Sequence, residues 1–181
     1  MSPFRIALVA ATALVASATA QAATISFGTT PASTSTLTTG LRPTNFTTSL
    51  TVPRFNTSLG TLTSVAIDFA GGVNSTIRFE SQDAAASTIT GTASATVTLT
   101  RPDNSQLAVV LPTNTRSQTV TAYDGTLDFA GTSGNTFSNV AGNLTAPTVN
   151  LTAAADLALF SSNGASDILL PVCLSEIILL I

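Results

Sequence analysis

Two carboxylates, Asp124 and Asp128, form the one close acidic pair beside a glycine turn in this chain of 181 residues. Such a pair suits two kinds of chemistry. It can supply the acid and base of a glycosidase, or it can bind Ca²⁺, which prefers hard oxygen ligands. In the alternative interpretation, Asp124 opens an Asp-Gly turn and Asp128 faces solvent from a strand. We favour the turn, because Asp-Gly is a common hairpin sequence, and we predict that no metal and no other cofactor binds.

The remaining side chains argue against an enzyme. The chain contains no His and no Lys, and its six basic residues are all Arg. Without imidazole or amine groups there is no Ser-His or Cys-His pair, no Schiff-base lysine and no imidazole metal ligand. We therefore predict a non-enzymatic protein without catalytic residues.

Two single residues have both a functional and a structural interpretation. Phe55 lies in a loop sequence, where it is a candidate for stacking on a ligand; the alternative, which we favour, is an apolar plug over one end of the fold. Cys173 is the only cysteine, so an intermolecular disulfide is one interpretation. Burial as a small hydrophobic residue is the other, and it is the one we expect.

The first 22 residues have the pattern of an export signal. Residues 1–5 carry a positive charge, residues 6–18 are apolar, and Ala20-Gln21-Ala22 is a small-x-small site, so we predict cleavage after Ala22. About 13 apolar residues are too few for a membrane-spanning helix, which needs roughly 20. We therefore expect an exported protein, extracellular or at the cell surface, with no transmembrane span in the mature chain.

The mature chain has few charges and a slightly negative balance. Only 8% of all residues are charged, and five Arg and nine acidic residues after Ala22 give 5 − 9 = −4. This balance argues against nucleic acid as a partner. Disorder is also excluded, because 44% of the residues are hydrophobic and they recur periodically. A Thr-rich composition of this kind is typical of an extracellular β protein.

The apolar pattern predicts short strands throughout. Leu62, Val65, Ile67 and Phe69 alternate with polar residues, and Gly71-Gly72 predicts the end of that strand before another over residues 75–80. Further strands are expected over residues 24–27, 46–52, 87–100, 119–123, 125–129, 157–160 and 168–172, with Leu107, Val109 and Leu111 on the return strand after a turn at residues 101–104. We expect Val65, Ile67, Phe69, Val97, Leu99 and Val109 to face the core.

These strands predict an all-β fold, an antiparallel β-sandwich with a jelly-roll-like arrangement. We assign residues 1–22 to the signal, residues 23–172 to a single domain and residues 173–181 to a short apolar tail. That tail is too short to span a membrane and contains Glu176, which is costly in lipid.

Two stretches resemble the choice-of-anchor E domain. They are PRFNTSLGTLTSV, which begins at Pro53, and YDGTLDFAGTSGNTF, which begins at Tyr123. The resemblance implies an exported bacterial domain of unknown activity, and it carries no catalytic residues with it. Many members of that family end in a PEP-CTERM-type sorting tail, with a Pro-Glu-Pro tripeptide, an apolar span and a basic end, which is linked to exopolysaccharide-producing bacteria. This chain departs from that pattern after Val172, where it reads CLSEIILLI, so either this member needs no anchor or its tail is a truncated or altered anchor.

Two function classes follow from the sequence. The first is an exported, non-enzymatic structural or adhesion module at the cell surface, with extracellular polysaccharide or the surface matrix as partner. The alternative is a Ca²⁺-dependent carbohydrate-binding or hydrolytic domain that uses Asp124 and Asp128. The sequence does not define an oligomeric state.

Overall fold

The computed structural model describes residues 17–28, 33–37, 40–43 and 45–180, with side chains from residue 45 to residue 174. In chain order the elements are β1 (Ser17–Gly28), β2 (Ser33–Leu37), β3 (Gly40–Pro43), β4 (Phe46–Pro53), β5 (Phe55–Asn56), a 3₁₀ turn (Thr57–Leu59), β6 (Ser64–Glu80), β7 (Ser87–Thr100), β8 (Gln106–Val110), β9 (Thr113–Val120), β10 (Gly134–Thr145), β11 (Val149–Leu151), α1 (Ala154–Leu159), β12 (Ser161–Ser162) and β13 (Asp167–Leu180). The predicted all-β fold is confirmed.

The strands form two antiparallel sheets packed as a sandwich. In the first sheet the order is β10-β6-β1-β2, with β11 also on β6 and β3 also on β1. In the second the order is β4-β13-β7-β8, with β9 also on β7. A small parallel pair, β5 with β12, lies outside both sheets. β6, the longest strand, and β7 run through the middle of their sheets, so they position most of the core.

The core lies between the facing sides of the two sheets. Val65, Ile67 and Phe69 of β6 are buried against Val97 and Leu99 of β7. These five residues were predicted to face inward, and that prediction is confirmed. The prediction succeeds because successive side chains of a strand point to opposite faces. Alternation of apolar and polar residues within a single strand therefore shows which face is buried. The second sheet adds its own buried series, Leu50, Val52, Ile168, Leu170, Val172 and Leu174.

The predicted strand break at Gly71-Gly72 is wrong, because β6 continues through both residues to Glu80. The second sheet comes so close at Gly71 that a Cβ atom there would lie 2.6 Å from Val110 Cγ2 and 3.0 Å from Val97 Cγ2. Glycine at this position therefore permits close packing of the two sheets, which is the other reason for glycine inside a strand.

The hairpin predicted at residues 101–104 is confirmed, but the phase of its return strand is not. Leu99 pairs with Ala108 and Thr100 pairs with Gln106, so Leu107 is an extra residue in β8. A bulge of this kind shifts the alternation by one residue. As a result, Ala108 and Val110 are buried, Val109 is only partly buried and Leu111 is 57% exposed. The predicted core position of Val109 is therefore wrong.

A short helix replaces the strand predicted at residues 157–160. In α1, the Leu157 amide donates to the Ala153 carbonyl at 3.0 Å. Asp156 of this helix accepts a hydrogen bond from Arg101 Nε at 2.7 Å, which ties α1 to the turn between β7 and β8. The segment connects one sheet to the other, so no neighbouring strand supplies hydrogen-bond partners and the helical propensity of Ala and Leu prevails.

The residues assigned to a tail instead continue β13. From Val172 to Leu180 this strand pairs with β7, and from Asp167 to Leu174 it pairs with β4 on its other side. Ile168, Leu170, Val172 and Leu174 face inward, so alternation turns Cys173 outward. Cys173 is exposed, and its expected burial is wrong. No helix in the described ranges has the length and apolarity to cross a membrane.

The predicted export signal lies for the most part outside the described residues. Its last part is described as backbone, and it belongs to β1, which runs from Ser17 to Gly28 across the predicted cleavage position after Ala22. The strand predicted over residues 24–27 lies within this same element. β1 pairs with β6 along its whole length, with an irregularity in register between Gln21 and Ala23.

Candidate functional site

The loop between β9 and β10, residues 121–133, covers one end of the sandwich, and we call it the end loop. Strands were predicted over residues 119–123 and 125–129, but β9 ends at Val120 and the end loop contains no strand. Backbone hydrogen bonds hold its conformation. The Thr121 amide donates to the Thr132 carbonyl, and the Tyr123 amide donates to the Asp83 carbonyl, each at 2.9 Å.

The buried side chain of Glu80, the last residue of β6, holds the end loop in place through hydrogen bonds. Only 2% of Glu80 is exposed. One oxygen accepts a hydrogen bond from the Phe129 amide at 2.7 Å, and the other accepts from the hydroxyl of Ser133, which is also buried. A Cβ atom on Gly134 would collide with this carboxylate, so glycine is required there. Because these two hydrogen bonds join β6 to the end loop, Glu80 fixes the loop conformation.

The role of Glu80 has no signal in the sequence. The side chain follows the core residue Phe79, so alternation places it on the solvent face of β6. It is buried because the end loop folds over it, and that loop is distant in sequence. Only the three-dimensional structure brings Glu80 and Phe129 together.

The two candidate carboxylates, Asp124 and Asp128, each cap a turn of the end loop. Asp124 Oδ1 accepts from the Thr126 amide at 3.0 Å, and Asp128 Oδ1 accepts from the Ala130 amide at 2.9 Å. These contacts, from a side chain to the amide two residues later, are Asx turns. Both residues are exposed, and Asp128 faces solvent from the loop rather than from a strand. The geometry gives both carboxylates a structural use.

The end loop offers few further ligands for a cation. Among the described residues, no three His, Cys, Asp or Glu side chains are grouped so that they could hold a metal ion. Calcium takes six to eight oxygen ligands, and those beyond Asp124 and Asp128 would have to come from neutral groups such as the side chains of Thr126, Thr132 and Asn135. A site with two formal charges on an exposed loop would bind only at about millimolar concentration.

We expect that 2 mM Ca²⁺ leaves the thermal midpoint of unfolding unchanged relative to a chelator, in the native protein and in Asp128→Asn alike. A ligand that binds only the native state must raise stability by mass action, so an occupied site would be visible in this measurement. The comparison is a pair of melting curves for each protein. A rise of several degrees that disappears in Asp128→Asn would show that the pair is a calcium site.

Phe55, the ligand-stacking candidate, lies at the opposite end of the sandwich. Its side chain is 9% exposed and packs in the main core, and its amide donates to the Phe160 carbonyl at 2.8 Å. β5 and β12 bring these two segments together. Because the ring is covered by the protein itself, it offers no free face for a ligand.

The outer side of the second sheet carries an array of paired hydroxyl groups, which we call the hydroxyl face. Three cross-strand pairs join β7 to β9, with oxygen–oxygen distances of 2.9 to 3.0 Å, and they are Thr88 with Thr119, Thr90 with Ser117 and Thr92 with Thr115. Each pair consumes one hydroxyl proton, which leaves one proton and several lone pairs for an external partner. The alternating Thr and Ser of these two strands were visible in the sequence, but their pairing follows from the register.

Two exposed apolar side chains, Tyr123 and Leu127, project from the end loop, with 37% and 49% of their surfaces accessible. Single exposed apolar residues are common on protein surfaces and do not define a site. The end loop therefore presents turn-forming carboxylates and two separate apolar side chains. Of the two candidate surfaces, the end loop and the hydroxyl face, the hydroxyl face is the more regular.

In comparisons with known proteins, no family model, no curated protein and no solved structure matches this chain.

Proposed function

We propose that this chain is an exported, non-enzymatic structural or adhesion module of the choice-of-anchor E type, which contacts extracellular polysaccharide through the hydroxyl face. The observation that carries the proposal is the row of hydroxyl pairs between β7 and β9. Support for the compartment comes from the signal-like first 22 residues, and support for the family comes from the two resembling stretches.

A hydroxyl array on a sheet is suited to a neutral, hydroxylated polymer. Residues two apart in a strand lie about 7 Å apart on the same face, so the three pairs form a regular row of donors and acceptors. β-branched Thr has restricted rotamers, and each hydroxyl is also oriented by its cross-strand partner. Such a surface loses little conformational entropy when it binds, which favours many weak contacts along an extended chain. Strand β9 contains a single charged residue, Arg116.

The first test replaces the β7 half of the array. We expect Thr88→Val/Thr90→Val/Thr92→Val to weaken binding to purified bacterial exopolysaccharide by about tenfold or more, which corresponds to at least about 1.4 kcal/mol. Valine keeps the shape and the strand propensity of threonine and removes only the hydroxyl. The measurement is a sedimentation or calorimetric binding assay with the secreted protein.

Thr145→Val provides the control, because Thr145 is an exposed strand residue on the other sheet. It should leave binding unchanged. Equal binding by the native protein and the triple variant would remove the hydroxyl face from the proposal. No binding by the native protein to any polysaccharide tested would remove polysaccharide as the partner.

A further inference from the structure

The position of β1 connects export processing to the first sheet. Ser17 pairs with Asn74 and Gln21 pairs with Ala70, so the last residues of the predicted signal cover part of one edge of β6. Cleavage after Ala22 would remove these residues from the protein. β1 would then begin at Ala23, opposite Phe69.

Processing would leave a long stretch of β6 without a neighbour on that edge. Residues 70–74 would lose their partner, and no described strand pairs with residues 75–80 on the same side. β10 occupies the opposite edge of β6 over residues 70–80. The open edge, residues 70–80, has the sequence AGGVNSTIRFE, with no Pro and no Lys. Exposed strand edges without such features tend to pair with another chain.

We propose that two mature copies pair through this edge, with their β6 strands antiparallel about a two-fold axis at Ser75. A two-fold interface uses the same surface of both subunits. This pairing would join the first sheets of two copies into one continuous sheet. It rests on the predicted cleavage after Ala22, which the proposed export also requires.

The open edge is complementary to itself in this register. Residue numbers of paired positions sum to 150, so Val73 lies opposite Ile77 and Gly71 lies opposite Phe79 on the core side. The small residue therefore faces the large one. On the outer side, exposed Arg78 lies opposite Gly72, so the two Arg side chains do not face each other directly.

A rearrangement within one copy is the competing outcome. β3 also loses its partner on cleavage, because Gly40 to Pro43 pair with Ala20 to Ser17. β3 has four residues and ends in Pro43, which has no amide proton to donate. It could therefore cover only part of an edge of 11 residues, whereas a second β6 covers all of it.

The test uses protein secreted with its own leader, after mass spectrometry has located its first residue. We expect a start at Ala23 and a dimer by light scattering after gel filtration. Asn74→Lys/Thr76→Lys places four Lys side chains together at the centre of the proposed interface, because residue 74 lies opposite residue 76. This repulsion should raise the dimer dissociation constant by about 100-fold.

Asn143→Lys/Thr145→Lys is the matched control, with the same spacing and exposed residues in β10 at the opposite edge of the sheet. It should remain dimeric. In the native protein, amide hydrogen exchange at residues 70–80 should slow as the protein concentration rises, a readout that does not depend on whether the lysine variant folds. A monomer at all concentrations, a dimer with concentration-independent exchange at this edge, or a first residue at or before Ser17 would overturn the proposal.

Discussion

Phe69→Ala is expected to lower the free energy of unfolding by about 3–5 kcal/mol, the range for truncating a buried aromatic residue. Phe69 is 1% exposed and lies in the middle of β6. It belongs to the cluster that joins the two sheets, with Val97 and Leu99 among its members. Removing the ring leaves a cavity where both sheets meet, so neighbouring side chains can only partly fill the space.

Urea denaturation of the native protein and of Phe69→Ala measures this difference in the free energy of unfolding. The control is Thr98→Ala in β7, where the side chain points away from the core and lies across from Cys173 on β13. Substitutions at such surface positions change stability by about 0.5 kcal/mol or less. Equal effects of the two substitutions would mean that the assignment of inner and outer faces in these strands is wrong.

The parts of the fold that depend on one strand at a time were predictable from the sequence. Val65, Ile67 and Phe69 alternate with polar residues, and alternation alone decides which side is buried. The turn at residues 101–104 was also predictable, because its chemistry is local. The Asp103 carboxylate accepts from the Ser105 hydroxyl and amide, and these hydrogen bonds lower the pKa of Asp103.

The parts that depend on contacts between distant segments were not predictable. Gly71 looked like a strand end, and its actual role is to admit Val97 and Val110 from the other sheet. Val109 was placed in the core because a single extra residue in β8 leaves no clear sequence signal. At Gly71 the close approach of the other sheet decides the result, and at Val109 the register between β7 and β8 decides it.

The candidate sites divide in the same way. An Asp-Gly turn explains Asp124 from sequence alone, since its carboxylate accepts from the Thr126 amide. Glu80 could not be recognised, because its partners lie about 50 residues further along the chain. The hydroxyl face lies between these cases, because its residues were visible and their pairing was not.

Truncation after Leu174 is expected to prevent stable folding. The six residues Ser175 to Leu180 pair with Thr96 to Gly91 of β7, which lies at the centre of the second sheet. Each lost backbone hydrogen bond costs about 0.5–1.5 kcal/mol, so about six of them cost about 3–9 kcal/mol. A domain of this size has a total stability of about 5–15 kcal/mol.

The truncated protein should therefore show a reduced or absent cooperative transition when its circular dichroism is followed on heating. The native protein, heated under the same conditions, is the control. The experiment distinguishes between two assignments of residues 175–180, a strand paired with β7 and the apolar tail that the sequence predicts. A dispensable apolar tail could be removed at Leu174 without loss of stability, whereas a strand segment paired with β7 could not, so an unchanged melting curve would contradict the assignment of these residues to β13.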